Sequence, residues 1–127
     1  MHKGFTLVEL IIVITVIGIL VAFASPQFAV TKERALDREA KATIALIQAA
    51  EKIYKMEEGP YYPSPAGSTS NIANINANLR LSLPVSSSAW TYTVNSAAQT
   101  ATATRSGRTW TATFTGGDPS CSGAGCP

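Results

Sequence analysis

The stretch GFTLVELIIVITVIGILVAFAS, residues 4–25, contains a single charged residue, Glu9. The apolar run over residues 5–24 is about as long as a helix must be to cross a bilayer. A carboxylate inside such a run is unfavourable in lipid. Its presence therefore indicates a functional role and a polar or charged group that binds it. Cleavage of the chain after Gly4 would create a partner close by, because it would free the α-amine of Phe5.

The apolar run belongs to a longer pattern, made of GFTLVEL at 4–10, Gly18 and PQF at 26–28. The pattern resembles the N-terminus of type IV pilins and of their relatives, the pseudopilins, and the resemblance is close over residues 1 to about 30. It implies that residues 1–4 are a leader that prepilin peptidase removes after Gly4. It also implies that Phe5 becomes an N-methylated terminus and that Glu9 is the glutamate required for assembly.

An ordinary membrane anchor or a secretory signal peptide is the alternative for this segment. A secretory signal is cut after its apolar region at small residues, and Ala22-Phe23-Ala24 has that character. A glutamate inside the apolar region and Pro26 directly after it fit that alternative badly.

One long helix is predicted from Phe5 to Glu58, apolar over 5–28 and amphipathic over 29–58. Pro26 removes one backbone hydrogen bond and is predicted to kink the helix. Gly18 disfavours helix by about 1 kcal/mol relative to Ala. The resemblance implies that the stretch from Gly18 to Pro26 loses helicity in a filament, and a simple kink is the alternative.

The second half of this helix carries two apolar faces and a charged one. Apolar residues at three- or four-residue spacing predict a stripe that packs on a sheet, formed by Leu36, Ala40, Ile44, Ile47, Ala50 and Tyr54. A second, narrow face suits contact with a neighbouring helix and consists of Ala42, Ala45 and Ala49. Alternating charges predict a solvated face, or pairing between subunits, at Glu33, Arg34, Asp37, Arg38, Glu39 and Lys41.

Residues 59–127 are predicted to form a small head. Gly59 and Pro60 end the helix, a loop follows to about Ser70, and a short helix is expected within 71–83. Alternating apolar residues and threonines over about 90–114 predict an antiparallel meander with a tight turn at Ser106-Gly107. Its aromatic face, Trp90, Tyr92, Trp110 and Phe114, is expected to lie against Ile44, Ile47 and Tyr54 of the helix. The prediction is an α+β fold, and the resemblance implies the pilin architecture.

Cys121 and Cys126 are the two cysteines of the chain. In an exported protein an even pair favours a disulfide, which would hold the C-terminal residues in place. A metal site is the weaker alternative, because two thiols without a neighbouring His or carboxylate cluster bind metals poorly.

The residue types do not suit catalysis, and neither a cofactor nor a metal is predicted. The one histidine, His2, lies in the leader, and Asp118 is the one acidic residue after Glu58. General acid–base chemistry therefore lacks a carboxylate pair, and no nucleophile has a base beside it. A head this close to neutral also argues against nucleic-acid binding through phosphates.

Three functions are compatible with these observations. The first is a structural pilin, held in lipid of the bacterial inner membrane and then built by an assembly platform into a homo-oligomeric extracellular filament for adhesion, motility or DNA uptake. The second is a pseudopilin of a type II secretion system, although the acidic residues that typically bind calcium in major pseudopilins are missing. The third is a minor pilin with a binding head, built from Arg80, Arg105, Arg108, Trp90 and Trp110.

Overall fold

Two helices and five strands form the regular structure of residues 3–86 and 88–127, the part that the computed structural model describes, apart from the side chain of Ser25. The α+β class predicted from the sequence is confirmed. In chain order the elements are α1 (Leu7–Glu58), β1 (Ser68–Thr69), α2 (Ile72–Leu79), β2 (Thr91–Asn95), β3 (Thr100–Arg105), β4 (Arg108–Thr113) and β5 (Ser120–Gly123).

The chain divides into two units, Met1–Ala35 and Leu36–Pro127. In the first unit α1 begins at Leu7, slightly later than predicted, and its helical structure continues through Pro26. Because proline has no N–H, the carbonyl of Ala22 lacks its usual helical partner. The predicted kink and the loss of helicity in a filament stay predictions.

In the second unit the predicted stripe of α1 forms the core with the sheet. Ala40, Ile44 and Ile47 are completely buried, Ala50 is nearly so, and Leu36 and Tyr54 are partly covered. The aromatic residues expected on the sheet, Trp90, Tyr92, Trp110 and Phe114, are buried in the same cluster. The helix-on-sheet packing predicted from the periodicity is therefore confirmed.

The five strands form one antiparallel sheet in the order β1-β2-β3-β4-β5. Tyr92 of β2 lies opposite Ala103 of β3, which lies opposite Trp110 of β4. A small residue between two large aromatic ones lets both rings fit on the same face, because neighbouring residues across a sheet are in contact. The buried alanines of β3 are thus a packing requirement, and the threonines alternate onto the other face.

Helix α2, Ile72–Leu79, lies within the stretch 71–83 where a short helix was predicted. Asn71 caps its first turn by accepting a hydrogen bond from the N–H of Asn74 at 3.1 Å. The helix ends at Leu79 and is capped by Arg80, whose φ of 54° is left-handed. The side-chain amide of Asn76 then fixes the backbone of Leu83, since it donates to the Leu83 carbonyl and accepts from the Leu83 N–H, both at 2.8 Å.

Two strands lie outside the predicted meander: β1 falls within the loop predicted to about Ser70, and β5 contains Cys121. β5 pairs along β4, with Cys121 opposite Trp110. The predicted disulfide between Cys121 and Cys126 is present, with a Cα–Cα distance of 5.8 Å. The predicted hairpin between β3 and β4 is also confirmed, since Ser106 and Gly107 both have positive φ, 48° and 79°.

Gly123 limits what β5 tolerates. Its φ of 99° is left-handed, and a Cβ at this position would collide with the carbonyl oxygen of Gly107. We expect Gly123→Ala to lower the free energy of unfolding by about 1–3 kcal/mol, the usual size of such backbone strain. Urea unfolding of the full chain in detergent micelles measures the change.

Gly67→Ala is the matched control, because the nearest atom to a Cβ there is a carbonyl oxygen at an ordinary 3.9 Å. Equal stability of the Gly123→Ala variant and the native chain would contradict the assignment of β5.

Candidate assembly site

The N-terminus of α1 is closed by a reciprocal pair of hydrogen bonds between Thr6 and Glu9. The Glu9 Oε2 atom accepts from the Thr6 N–H at 3.0 Å and from the Thr6 hydroxyl at 2.9 Å. The Thr6 hydroxyl oxygen accepts from the Glu9 N–H at 3.3 Å. This is a capping box, in which two otherwise unpaired N–H groups of a first helical turn are satisfied by side chains. The Thr-x-x-Glu spacing ahead of an apolar run is the sequence signal that predicts it.

The capping box adds a local role for Glu9 to the one predicted from the sequence. Only Oε2 is used by Thr6, and Oε1 has no hydrogen-bond partner among the residues that the structure describes. A carboxylate accepts several hydrogen bonds, so Oε1 remains available to a donor from outside the chain. The predicted partner, the Phe5 amine, requires cleavage after Gly4 and is still a peptide N–H in the uncut chain.

The rest of the N-terminal segment offers an almost wholly apolar surface. Phe5 is 83% exposed, and Phe23 and Phe28 are similarly uncovered. The hydroxyl of Thr15 is satisfied internally, because it donates to the Ile11 carbonyl at 2.7 Å. By length and composition α1 is able to span a membrane, with a mean hydropathy of 2.9 in its most apolar window. Glu9 is therefore the one charged side chain of residues 5–28, and its Oε1 atom is available to recognise a partner.

A second apolar surface follows on the amphipathic half of α1. Its members are exposed and recur at alternating spacings of four and three residues, and we call it the α1 seam: Ala42, Leu46, Ala49, Ile53 and Met56. Such spacing places side chains along one line of a helix, as in helix–helix contacts. The sequence predicted a face of Ala42, Ala45 and Ala49; Ala42 and Ala49 are exposed and belong to the seam, Ala45 is partly buried, and the seam also contains larger residues.

Asp37 corrects the prediction of a fully solvated charged face. Its Oδ1 atom lies 2.6 Å from Arg108 Nη1 and accepts from Trp110 Nε1 at 3.2 Å. Only 13% of the Asp37 side chain and 15% of the Arg108 side chain are exposed. The pair is thus a largely dehydrated contact between α1 and β4, which sequence spacing alone does not reveal.

The five residues predicted to form a binding head do not form one exposed site in the structure. They are Arg80, Arg105, Arg108, Trp90 and Trp110. Both tryptophans are buried, and Trp90 Nε1 donates to the Leu36 carbonyl at 3.0 Å. Arg105 stacks over the Trp90 ring at 5.9 Å, and Arg80 pairs with exposed Glu57 at 3.2 Å. These side chains stabilise the head rather than form one exposed basic patch.

Comparison with known proteins agrees with this geometry. The family model described as the prokaryotic N-terminal methylation motif matches residues 1–25. The chain is 34% identical over 100 residues to the type IV narrow pilus major component PilA5 of Thermus thermophilus, covering 73% of this chain and 86% of that protein. It is 40% identical over 60 residues to the type IV major pilin protein PilA of Myxococcus xanthus, covering 47% of this chain and 27% of that protein.

A further relative comes from secretion systems. The type II secretion system core protein G of Vibrio cholerae is 33% identical over 66 residues, covering 52% of this chain and 45% of that protein. No solved structure matches the chain.

A capped apolar helix with a methylation motif, followed by a small head of one helix and one antiparallel sheet, defines a pilin-like protein. The match to PilA5 covers most of both chains and therefore identifies the family. The chain belongs to the family of type IV pilins and pseudopilins.

The buried ion pair should contribute far more to the head than the exposed one. We expect Asp37→Ala to lower the free energy of unfolding by about 1–3 kcal/mol, because it leaves the donors of Arg108 and Trp110 short of an acceptor. Glu57→Ala, which breaks the exposed pair with Arg80, should change it by less than about 0.5 kcal/mol. Urea unfolding of both variants measures the difference, and similar losses would contradict the distinction.

Proposed function

We propose that this chain is the structural subunit of a type IV pilus, a helical filament of many copies. The observation that carries the proposal is the exposed apolar surface of α1 with the single carboxylate of Glu9 near its start. A surface of this kind requires a cover of lipid or of other helices, since its transfer out of water is strongly favourable. The proposal assigns the chain no catalytic activity, cofactor or metal.

Before assembly the apolar segment lies in the bacterial inner membrane, and prepilin peptidase removes residues 1–4. The length and hydropathy of α1 and the match to a methylation motif over residues 1–25 support this step. Phe5 then becomes the methylated N-terminus. An assembly platform moves the subunit from lipid into the extracellular filament, where neighbouring helices replace lipid around residues 5–28.

Glu9 acts in this scheme as a guide to docking. A charged side chain at the centre of a membrane helix costs roughly 2.5–3.5 kcal/mol on insertion scales, and a position near the helix end reduces that cost. The hydrogen bonds to Thr6 satisfy Oε2, while Oε1 is left for the Phe5 amine of a neighbouring subunit. Buried ion pairs rarely add much net stability but specify register, so apolar contact supplies the cohesion and Glu9 the alignment.

The α1 seam extends the same contact along the amphipathic half of the helix. Leu46 and Ile53 are each about half exposed, although both lie on a helix that buries its other face. A second copy of the chain is the partner that this pattern fits, because like helices bearing small and aliphatic residues pack closely.

A pseudopilin of a type II secretion system is the second candidate, favoured by the match to core protein G. Two observations favour the pilus subunit. The chain covers 86% of PilA5 but 45% of core protein G from Vibrio cholerae. In residues 3–86 and 88–127 no group of three or more His, Cys, Asp or Glu side chains lies together, as an acidic calcium site would require.

Shearing filaments from the source cells, followed by mass spectrometry of the N-terminal peptide, tests the proposal. Abundant sheared protein that begins at methylated Phe5 is the expected result. Processed protein confined to the membrane would favour the pseudopilin or a minor pilin, and a chain that still begins at Met1 would contradict the leader prediction.

Glu9→Ala should separate insertion from assembly. We expect the variant to insert and to be cleaved after Gly4, while the filament yield falls on the order of tenfold or more, as loss of a docking contact of about 1.4 kcal/mol would produce. Immunoblots of sheared and membrane fractions measure both quantities.

Thr6→Ala is the informative control, since it removes the hydroxyl from the capping box but leaves the carboxylate free to bind a neighbour. If Glu9 acts between subunits, Thr6→Ala retains filaments. Equal loss in both variants would mean that Glu9 acts by capping its own helix, and normal yield from Glu9→Ala would contradict the docking role.

A further inference from the structure

Glu51 is a carboxylate sealed inside the head. It lies on α1 and is completely buried, and it is the one polar or charged residue in the buried set of the described chain. Its Oε2 atom accepts from the backbone N–H of Tyr62 at 2.9 Å, in the loop that follows α1. Its Oε1 atom is buried and has no hydrogen-bond partner in the part of the chain that the structure describes. An orphan oxygen of this kind is costly, and it is most costly when the carboxyl is ionised.

Among the residues that the structure describes, no opposite charge stabilises the ionised form of Glu51. The titratable groups on this side are phenols, Tyr62 in the loop and Tyr54 on α1, whose rings meet edge to face at 5.7 Å. Burial, with the nearby phenol of Tyr54, raises the pKa of the Tyr62 hydroxyl, which therefore stays neutral around pH 7. Helix α2 contributes the uncharged side-chain amide of Asn78, which forms a hydrogen bond with the Tyr62 side chain.

The charged groups on the same elements are engaged elsewhere. Lys55, one turn after Glu51, lies over the Tyr61 ring at 4.3 Å, and Glu57 pairs with Arg80 at the surface. Arg108 of β4 is held at Asp37, which precedes Glu51 by about 20 Å along a helix that rises 1.5 Å per residue. Lys52 and Glu58 are exposed.

Burial raises the pKa of the Glu51 carboxyl from 4.5 to about 7, and the hydrogen bond from Tyr62 only partly opposes the shift. Tyr62, whose N–H bonds to the carboxylate, is itself buried, so movement of the loop away from α1 would expose the carboxylate to water. A raised acid pKa means that the closed arrangement binds the proton more tightly than an open one. The free energy that favours the closed loop is therefore largest below pH 4.5, falls as the pH rises towards 7, and is smallest above pH 7.

We propose that Glu51 is a protonation-dependent latch, which holds the loop over residues 59–67 closed on α1 when its carboxyl is neutral and releases it when the carboxyl ionises. The loop forms one wall of an open cleft of about 290 Å³, which Lys55, Tyr61, Ser96 and Gln99 help to line. Release of the loop would remodel this cleft, so that this surface of the head responds to the external pH. The inference rests on the core of the head and does not depend on filament assembly.

Hydrogen–deuterium exchange of the full chain in detergent micelles tests the latch. Protection factors of peptides covering 59–67, corrected for intrinsic exchange, are compared from about pH 5.5 to about pH 8.5, a range that brackets the raised pKa. We expect the native protein to lose about tenfold or more of its protection across this range, as one unit of pKa difference would produce. Glu51→Gln keeps a neutral side chain of the same shape and should show protection that is independent of pH.

Glu57→Gln is the matched control, because it removes an exposed carboxylate from the same helix and should behave as the native protein does. A loop whose protection is unchanged with pH in the native chain would overturn the proposal, and so would an equal loss in Glu51→Gln. Carbon-13 detection of the Glu51 carboxyl in the native protein gives an answer even if that variant misfolds. A titration midpoint near the ordinary 4.5 would overturn the proposal, and one near 7 would support it.

Discussion

The structure depends on one helix that must be covered in two different ways. Along residues 7–28 the described side chains are mostly apolar and exposed, whereas from Ala40 to Ala50 one stripe is buried under the head. Hydrophobic burial is non-directional and scales with area, so the first region is satisfied by any apolar environment. The second requires a partner of defined shape. The same element therefore serves lipid or neighbouring helices at one end and a specific sheet at the other.

The head meets that shape requirement mainly through residue size. Ala101 and Ala103 on the central strand leave room between the aromatic residues of β2 and β4. Polar contacts then set the position of the sheet on the helix. Asp37 accepts from two groups of β4, and Gln48 Nε2 donates to the Thr113 carbonyl at 2.6 Å, just at the end of that strand. Apolar packing supplies most of the stability, and these directional contacts select one arrangement among similar ones.

Two glutamates on α1 illustrate opposite ways of placing a carboxylate in an apolar setting. Glu9 is exposed in the isolated chain, is held by Thr6 and keeps one oxygen for a partner outside. Glu51 is enclosed and accepts one backbone N–H at Oε2, while its Oε1 atom has no partner among the described residues. The first arrangement suits recognition between chains. The second suits a response to protons, because only protonation reduces the cost of burying the group.

The sequence by itself determined the apolar segment, the processing motif, the stripe of α1, the hairpin at Ser106-Gly107 and the cysteine pair. These features depend on near neighbours in the chain, on periodicity or on composition, all of which can be read from the order of residues. The capping box was equally local and is encoded in Thr6 and Glu9. Tertiary structure alone decided that Asp37 is paired with Arg108, that Ser120–Gly123 is a strand and that Glu51 is buried. Each of these depends on residues distant in the chain being brought together, and a charged residue at a helical position looks the same in sequence whether a sheet covers it or water does.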